Sequence, residues 1–147
     1  MMSLTIAESM VKLNAQAADK FEAIRIAGEL LVQGGHADAA YVDKMIEREQ
    51  TLSTYMGSGL AIPHGTNESK SLIRSTGLSV VQLPEGVDFG EGELAYVVVG
   101  IAALGDDHLE LLTNVAMVCS EEENLQRIIN ATSAAELAQL FNEGAEE

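Results

Sequence analysis

Ala95-Tyr96-Val97-Val98-Val99-Gly100-Ile101-Ala102, continuing as Ala103-Leu104-Gly105-Asp106-Asp107-His108-Leu109-Glu110, is the stretch whose reading decides the fold. The β-branched run Val97-Val98-Val99 inside an apolar segment has the composition of a central strand buried on both faces. Asp107, with Glu110 three residues on, has the spacing of a capping box in which Asp replaces the usual Ser or Thr. The pattern predicts a strand over 95–102 that runs through a short connection into a helix over 109–120, with His108 at its first position. Leu112, Val115, Ala116 and Cys119 share one face of that helix. A strand buried on both faces needs cover on both sides, which is the α/β class.

Working outward, two further strands are predicted over 60–63 and 77–83, with a turn at Pro84-Glu85-Gly86 and a loop at Phe89-Gly90-Glu91-Gly92. Asp19 and Glu22 mark the start of a helix whose stripe is Phe21, Ile24, Ala27, Leu30 and Leu31 and whose stop is Gly34-Gly35. A second helix covers 39–50, with Tyr41, Val42, Met45 and Ile46 inward. Two more lie near 124–131 and 134–141, the last started by Ser133 with Glu136. The first 18 residues are weakly patterned, Met10, Val11 and Leu13 being a short strand candidate. The expected architecture is a three-layer α/β sandwich, a mixed β-sheet of about four to five strands flanked by helices on both faces.

The segment Gly57-Ser58-Gly59-Leu60-Ala61-Ile62-Pro63-His64-Gly65-Thr66 delivers an imidazole to the end of a short apolar strand. Pro63 fixes its own φ, biases Ile62 toward extended geometry and lacks an N–H, so the strand stops there. Gly65 permits positive φ and close approach of another segment, and Thr66 adds a hydroxyl and an amide near the ring. Taken alone, a His beside Pro and Gly reads equally as a turn residue and as a nucleophile. His108 shifts the balance. At a helix start, unpaired N–H groups and partial positive charge favour a bound anion and a neutral imidazole. Both His follow strand ends, where ligand sites of α/β folds collect, and the combination points to phosphoryl chemistry. Arg48, near the end of the 39–50 helix, is carried toward the His64 turn by the loop 51–58. His36 reads as an exposed loop residue and Cys119 as a small core residue.

Composition bounds the rest. The 147 residues suit a single domain, 1–147, with a core that needs neither disulfide nor metal. Eight Lys plus Arg against 23 Asp plus Glu give a formal charge of −15, which argues against nucleic acid or anionic lipid as a partner and for a basic protein. Glu121-Glu122-Glu123 and the tail 143–147 read as solvated surface. Negative charge opposes a phosphoryl group, so the pocket itself must be neutral or positive, which again singles out Arg48. One Cys excludes an intramolecular disulfide, and no Cys pair or His-x-x-x-His spacing marks zinc; no metal and no cofactor is expected. There is no signal-peptide pattern, and the longest apolar run, 94–104, has 11 residues where a membrane helix needs about 20. A cytoplasmic setting with no membrane insertion is expected, and the Met start with the acidic tail favours a free-standing chain.

Ala23-Ile24-Arg25 with Gly34-Gly35, Tyr41-Val42 with Ile46-Glu47-Arg48-Glu49, Ala61-Ile62-Pro63-His64-Gly65-Thr66, Pro84-Glu85-Gly86-Val87-Asp88-Phe89-Gly90, Gly100-Ile101-Ala102-Ala103 and His108 at its helix start form a recognisable set. Over nearly its whole length the chain resembles the mannitol/fructose-type enzyme IIA domain of the bacterial phosphoenolpyruvate-dependent sugar phosphotransferase system. Pro-His-Gly-Thr, Pro-Glu-Gly-Val-x-Phe-Gly and Gly-Ile-Ala-Ala resemble the mannitol branch more than the fructose or nitrogen-regulatory branches. Ser58 departs from the Asn or Glu often found at that place, which leaves a side-chain contact from it open.

The resemblance implies that His64 accepts a phosphoryl group from the phosphohistidine of HPr and passes it to a cysteine of the cognate enzyme IIB of a IIB/IIC permease. It also implies that His108 supports the phosphoryl oxygens and that Arg48 is the site's cationic neighbour. An apolar ring with an acidic rim is expected around His64, for docking. Two other readings stand beside this one. A regulatory, nitrogen-type enzyme IIA homologue would share the fold and His64 but signal by its phosphorylation state. A metal-dependent hydrolase would use His64, His108 and an Asp, against the wide separation of the two His and the lack of a ligand-like pair.

Overall fold

The computed structural model describes residues 6–105 and 107–145. Five strands form one mixed sheet: β1 (Val11–Lys12), β2 (Tyr55–Gly57), β3 (Leu60–Ala61), β4 (Gly77–Asp88) and β5 (Leu94–Ala102), in the spatial order β1-β4-β5-β3-β2. β5 is central. It runs antiparallel to β4, Val99 opposite Val80, and parallel to β3, Val97 opposite Leu60. β1 joins β4 in parallel and β2 joins β3 antiparallel. Val97, Val98, Val99 and Ile101 have no exposed surface, as a strand covered on both faces requires.

The two covering layers can be read from polar side chains on β4. Ser79 Oγ donates to the carbonyl of Ala27 (2.8 Å) in α1 (Lys20–Gln33). Gln82, three residues on and therefore on the other face, sends its amide to the carbonyls of Ile128 (2.7 Å) and Ala131 (3.0 Å) at the end of α4 (Glu122–Asn130). α1 packs with α2 (Ala40–Thr51), while α3 (Asp107–Ser120) and α5 (Ala134–Ala145) pack together with α4 on the opposite face. The α1–α2 contact is close because Gly28 has no side chain; a Cβ there would lie 3.0 Å from Met45 Sδ.

The helix starts at 19 and 133 follow the sequence. Asp19 accepts the Glu22 amide (2.9 Å), and Glu22 in turn accepts the Ala18 amide (3.3 Å). Ser133 accepts the Glu136 amide (3.1 Å) and Glu136 accepts that of Thr132 (3.2 Å). The start of α3 differs. The helix begins at Asp107 itself, so Asp107 is not the cap; its Oδ2 accepts the Thr76 hydroxyl (2.7 Å), and Thr76 Oγ1 accepts the Leu104 amide (3.0 Å), tying the helix entrance to the base of β4. Position 106, which precedes the helix, lies outside the described residues, as do the side chains of the 143–147 tail read as solvated surface. Leu111 and Val118 join Val115 and Cys119 on the buried face, leaving Leu112 and Ala116 half-buried.

Pro84-Glu85-Gly86 is not a turn. β4 runs through it with a register shift between Gln82 and Val87, a bulge in which the missing Pro N–H costs no ladder bond and Gly86 takes φ 79°. The chain reverses later, where Phe89 N–H closes on the Glu93 carbonyl (2.8 Å). β2 lies inside what reads as the loop 51–58, because three residues are too few to show a period of two. The strand expected over 60–63 keeps only Leu60 and Ala61 in regular pairing, and Met10 belongs to a 3-10 turn ahead of β1. Among the described residues no helix is long and apolar enough to cross a membrane.

Candidate active site

Beyond Ala61 the β3–β5 ladder thins, and this thinning makes the site. Ile62 N–H turns to the Thr54 carbonyl (3.0 Å), Pro63 has no N–H to give, and Ile101 N–H reaches the Pro63 carbonyl (3.0 Å), bridging His64 to Ile101 in parallel register. The imidazole emerges half-buried. Its Nδ1 lies 2.9 Å from the carbonyl of Ile62. A carbonyl only accepts, so Nδ1 carries the proton and Nε2 of the neutral ring keeps its lone pair.

Gly65 is required for closeness and not, as expected, for positive φ, since it is absent from the positive-φ residues. A Cβ there would meet Ser69 Oγ and lie 2.5 Å from Tyr41 Cε1. The Tyr41 hydroxyl accepts the Gly65 amide (2.9 Å) and donates to the Ile101 carbonyl (2.8 Å). The next carbonyl, of Thr66, accepts both the Ser69 hydroxyl (2.6 Å) and the Ser69 amide (3.1 Å), whereas Thr66 Oγ1 is buried without a hydrogen-bond partner among the described residues.

Three elements converge on His64. β5 leads through 103–105 to the first turn of α3, whose His108 ring meets His64 edge-on, centroids 4.8 Å apart at 73°. α2 brings Arg48, held by its Nη1 on the Leu52 carbonyl (2.6 Å). The 3-10 helix Asn67–Leu72 brings Lys70. Together His64, His108, Arg48, Lys70 and Thr66 line one open cleft of about 680 Å³. The structure thus assembles all three residues expected from the sequence. It places Thr66 beside them, as the sequence suggested, and adds Lys70 and Tyr41, of which Lys70 had no local sequence signal, because its placement depends on how the segment after His64 folds back.

Electrostatics favour a neutral His64 ring with cationic side chains beside it. Burial depresses the His64 pKa most, with His108 and Arg48 adding to the effect, against opposing contributions from the Ile62 hydrogen bond and from Glu49. His108 is depressed by burial, then by Lys70 and Arg48. Glu49 is buried beside Arg48 in sequence; burial would raise its pKa, but hydrogen bonds from Ser53 and Thr54 and the Lys20 ammonium (3.2 Å) bring it below the usual value. Its Oε1 accepts both the amide (2.8 Å) and the hydroxyl (2.7 Å) of Thr54, fixing the loop on which Leu52 holds Arg48. The cleft can therefore hold an anion against a neutral imidazole.

The other two candidates stay outside. His36 is not an exposed loop residue: it is half-buried, bonded to Ser75 Oγ (2.8 Å) and packed on Gly77, where a Cβ would lie 2.5 Å from its ring. Cys119 is buried and burial pushes its thiol up to about 12, as befits a core residue. Among the described residues no group of three or more His, Cys, Asp or Glu could hold a metal ion.

Comparison with known proteins identifies the family and the fold. Residues 5–144 match the family model "Phosphoenolpyruvate-dependent sugar phosphotransferase system, EIIA 2". The chain is 49% identical over 138 residues to the mannitol-specific phosphotransferase enzyme IIA component of Bacillus subtilis (strain 168), covering 94% of this chain and 96% of that protein. It is 38% identical to a chain in the complex of enzyme IIAMTL and phosphorylated enzyme IIBMTL from Escherichia coli, with a TM-score of 0.89, covering 94% of this chain and 97% of that one. The crystal structure of IIA mannitol from Escherichia coli matches with a TM-score of 0.88 at 38% identity, over 94% of this chain and 99% of that one. A two-histidine cleft at the end of a thinning strand, on this fold and in this sequence context, places the chain in the EIIA 2 family of the phosphoenolpyruvate-dependent sugar phosphotransferase system, as one of its phosphoryl-carrying components.

Proposed function

We propose that this protein is the enzyme IIA of a mannitol phosphotransferase system, a single cytoplasmic domain in which His64 takes a phosphoryl group from phospho-HPr and gives it to a cysteine of the cognate enzyme IIB. The observation that carries the reading is the tautomer of His64: with Nδ1–H committed to the Ile62 carbonyl, Nε2 is the nucleophile and needs no base. Nε2 attacks phosphorus as the P–N bond of the donor phosphohistidine breaks, and the proton on Nδ1 stays where it is. In the second step the IIB thiolate attacks phosphorus, a P–S bond forms, and the P–N bond at Nε2 breaks, returning the lone pair to His64. Transfer through a loose transition state rests on alignment and charge screening. Arg48 and Lys70 supply the positive charge, and His108 stands edge-on beside the acceptor ring.

The surroundings suit docking of two proteins in turn. Leu109 (70% exposed) lines the cleft, Leu52 (67%) and Leu104 (44%) adjoin its lining residues Thr51 and Gly105, and Glu47 and Glu68 line it as well. An apolar ring with acidic residues beside it fits a basic carrier such as HPr. The mannitol reading follows the Bacillus subtilis relative and the Escherichia coli IIAMTL–IIBMTL complex, and it is favoured over a nitrogen-type regulatory role.

The test is phosphoryl transfer from phosphoenolpyruvate through enzyme I and HPr to this protein, wild type beside His64→Ala, followed by a mannitol-type IIB. Acid-labile label on wild type alone, discharged by IIB, is the expected result. Label that IIB leaves in place overturns the mannitol assignment, and label on His64→Ala overturns the nucleophile.

A further inference from the structure

The link between His64 and β5 departs from a parallel ladder in one bond. With His64 opposite Ile101, a parallel ladder places two bonds: Ile101 N–H to the carbonyl of residue 63, and the N–H of residue 65 to the Ile101 carbonyl. The first is present at 3.0 Å. The second is replaced by two, because the Tyr41 hydroxyl accepts Gly65 N–H at 2.9 Å and donates to the Ile101 carbonyl at 2.8 Å. Tyr41 is 2% exposed and comes from α2, so a phenol from the covering layer is wedged into the sheet.

We infer that Tyr41 is the positioning residue of the phosphoryl relay: its hydroxyl, inserted between Gly65 and Ile101, holds the peptide after His64 off the strand and so sets where Nε2 stands in the cleft. The inference rests on His64 being the acceptor. Three features support it. The inserted oxygen stands between the Gly65 N–H and the Ile101 carbonyl in place of a direct backbone bond, easing the chain away from the ladder directly after His64. Gly65 is shaped to this partner, since any side chain there would collide with the Tyr41 ring. Burial holds the Tyr41 phenol pKa above its ordinary value, so the hydroxyl keeps the proton it donates to Ile101. Both hydrogen bonds of that hydroxyl thus fall on the His64 segment or on the strand beside it.

The experiment compares Tyr41→Phe with wild type and with Ser79→Ala, which also loses one buried hydroxyl donated to a backbone carbonyl but lies on the α1 contact. Two readouts are taken: the rate of transfer from phospho-HPr, and the ring ¹⁵N shifts and titration of His64 by NMR in the unphosphorylated proteins. Tyr41→Phe is expected to label to the same final extent but about 10- to 100-fold more slowly, as misplacement of reacting groups predicts, with the Nδ1–H tautomer less populated. Ser79→Ala is expected to keep wild-type rate and shifts. Wild-type behaviour of Tyr41→Phe in both readouts, or equal slowing in Ser79→Ala, overturns the inference. If wild type takes no label, the relay reading fails, while the ring shifts still decide whether Tyr41 positions His64. Should Tyr41→Phe not fold, wild type suffices: the Tyr41 hydroxyl proton must exchange slowly and show a nuclear Overhauser effect to the Gly65 amide, and its absence overturns the bridge.

Discussion

Gln82 and His64 sit at two places where a polar side chain enters the sheet, and they differ in how completely their hydrogen bonding is used. Gln82 is 1% exposed and engages both ends of its amide: the NH2 reaches the carbonyls of Ile128, Ile129 and Ala131, and Oε1 accepts the Asn14 amide (2.9 Å). It closes the end of α4 and ties down the chain ahead of α1. At the other place, among the described residues, His64 uses Nδ1 and leaves Nε2 open, Thr66 Oγ1 has no partner, and neither Arg48 nor Lys70 is ion-paired with a carboxylate. Buried polar groups are ordinarily satisfied. A saturated cluster is therefore architecture, and an unsaturated one is capacity held for a ligand.

The contrast is broken most sharply at His64. His64→Ala is expected to lose phosphoryl acceptance altogether while changing stability by no more than about 1 kcal/mol, since a half-buried ring gives up one hydrogen bond; labelling and urea unfolding on the same protein measure both. Gln82→Leu is the converse. It takes a donor from the carbonyls of Ile129 and Ala131 and an acceptor from the Asn14 amide, while the Ile128 carbonyl keeps the Ala131 N–H, and it is expected to destabilise by about 2–4 kcal/mol, yet the folded fraction should label normally. If Gln82→Leu were inactive while folded, saturation would not separate structure from function.

Smaller effects sharpen the picture. Arg48→Ala is expected to slow transfer by about 10- to 100-fold, and Lys70→Ala by less, because Arg presents a planar fork to phosphate oxygens and Lys a single point charge; rapid-quench transfer from phospho-HPr ranks them. The pH dependence of stability follows from the depressed pKa values of His64 and His108. The unfolded chain takes up protons at the ordinary His value of 6.5, before the folded one does, so this stability is fully present above that pH and is lost as pH falls through the lower folded values. Urea unfolding at about pH 7.5 and about pH 5, either side of the ordinary His value, should show the loss, and the double variant lacking both His should show a shallower dependence. The smallest effect is at Ser58, exposed with φ 54° in the β2–β3 turn. Ser58→Gly should stabilise by about 0.5–1 kcal/mol by removing left-handed strain, measured by thermal unfolding with transfer unchanged.

Local rules were legible where a few neighbouring residues decide the outcome. The Asp19 and Ser133 caps, the Gly34 stop and the buried Val97-Val98-Val99 strand all depend on contacts within one or two turns or on composition alone. The readings that changed depend on partners far along the chain. Asp107 answers to Thr76 instead of capping its own helix, Pro84 and Gly86 sit in a bulge because β5 continues opposite them, and His36 is covered because Gly77 leaves it room. Of the site, His64, His108 and Arg48 could be named beforehand; Lys70 and the wedge of Tyr41 could not.

The sequence by itself determined the layers, the short strand that leads toward His64 and the helix that begins near His108, because propensity, capping and hydrophobic period act over short separations. Tertiary structure alone decided that two rings far apart in the chain would meet at 4.8 Å and that a tyrosine from α2 would stand in a backbone ladder. These are consequences of bringing α2 and α3 each against β5. No local pattern encodes them, since each is set by the meeting of segments whose separation in sequence carries no information about their distance in space.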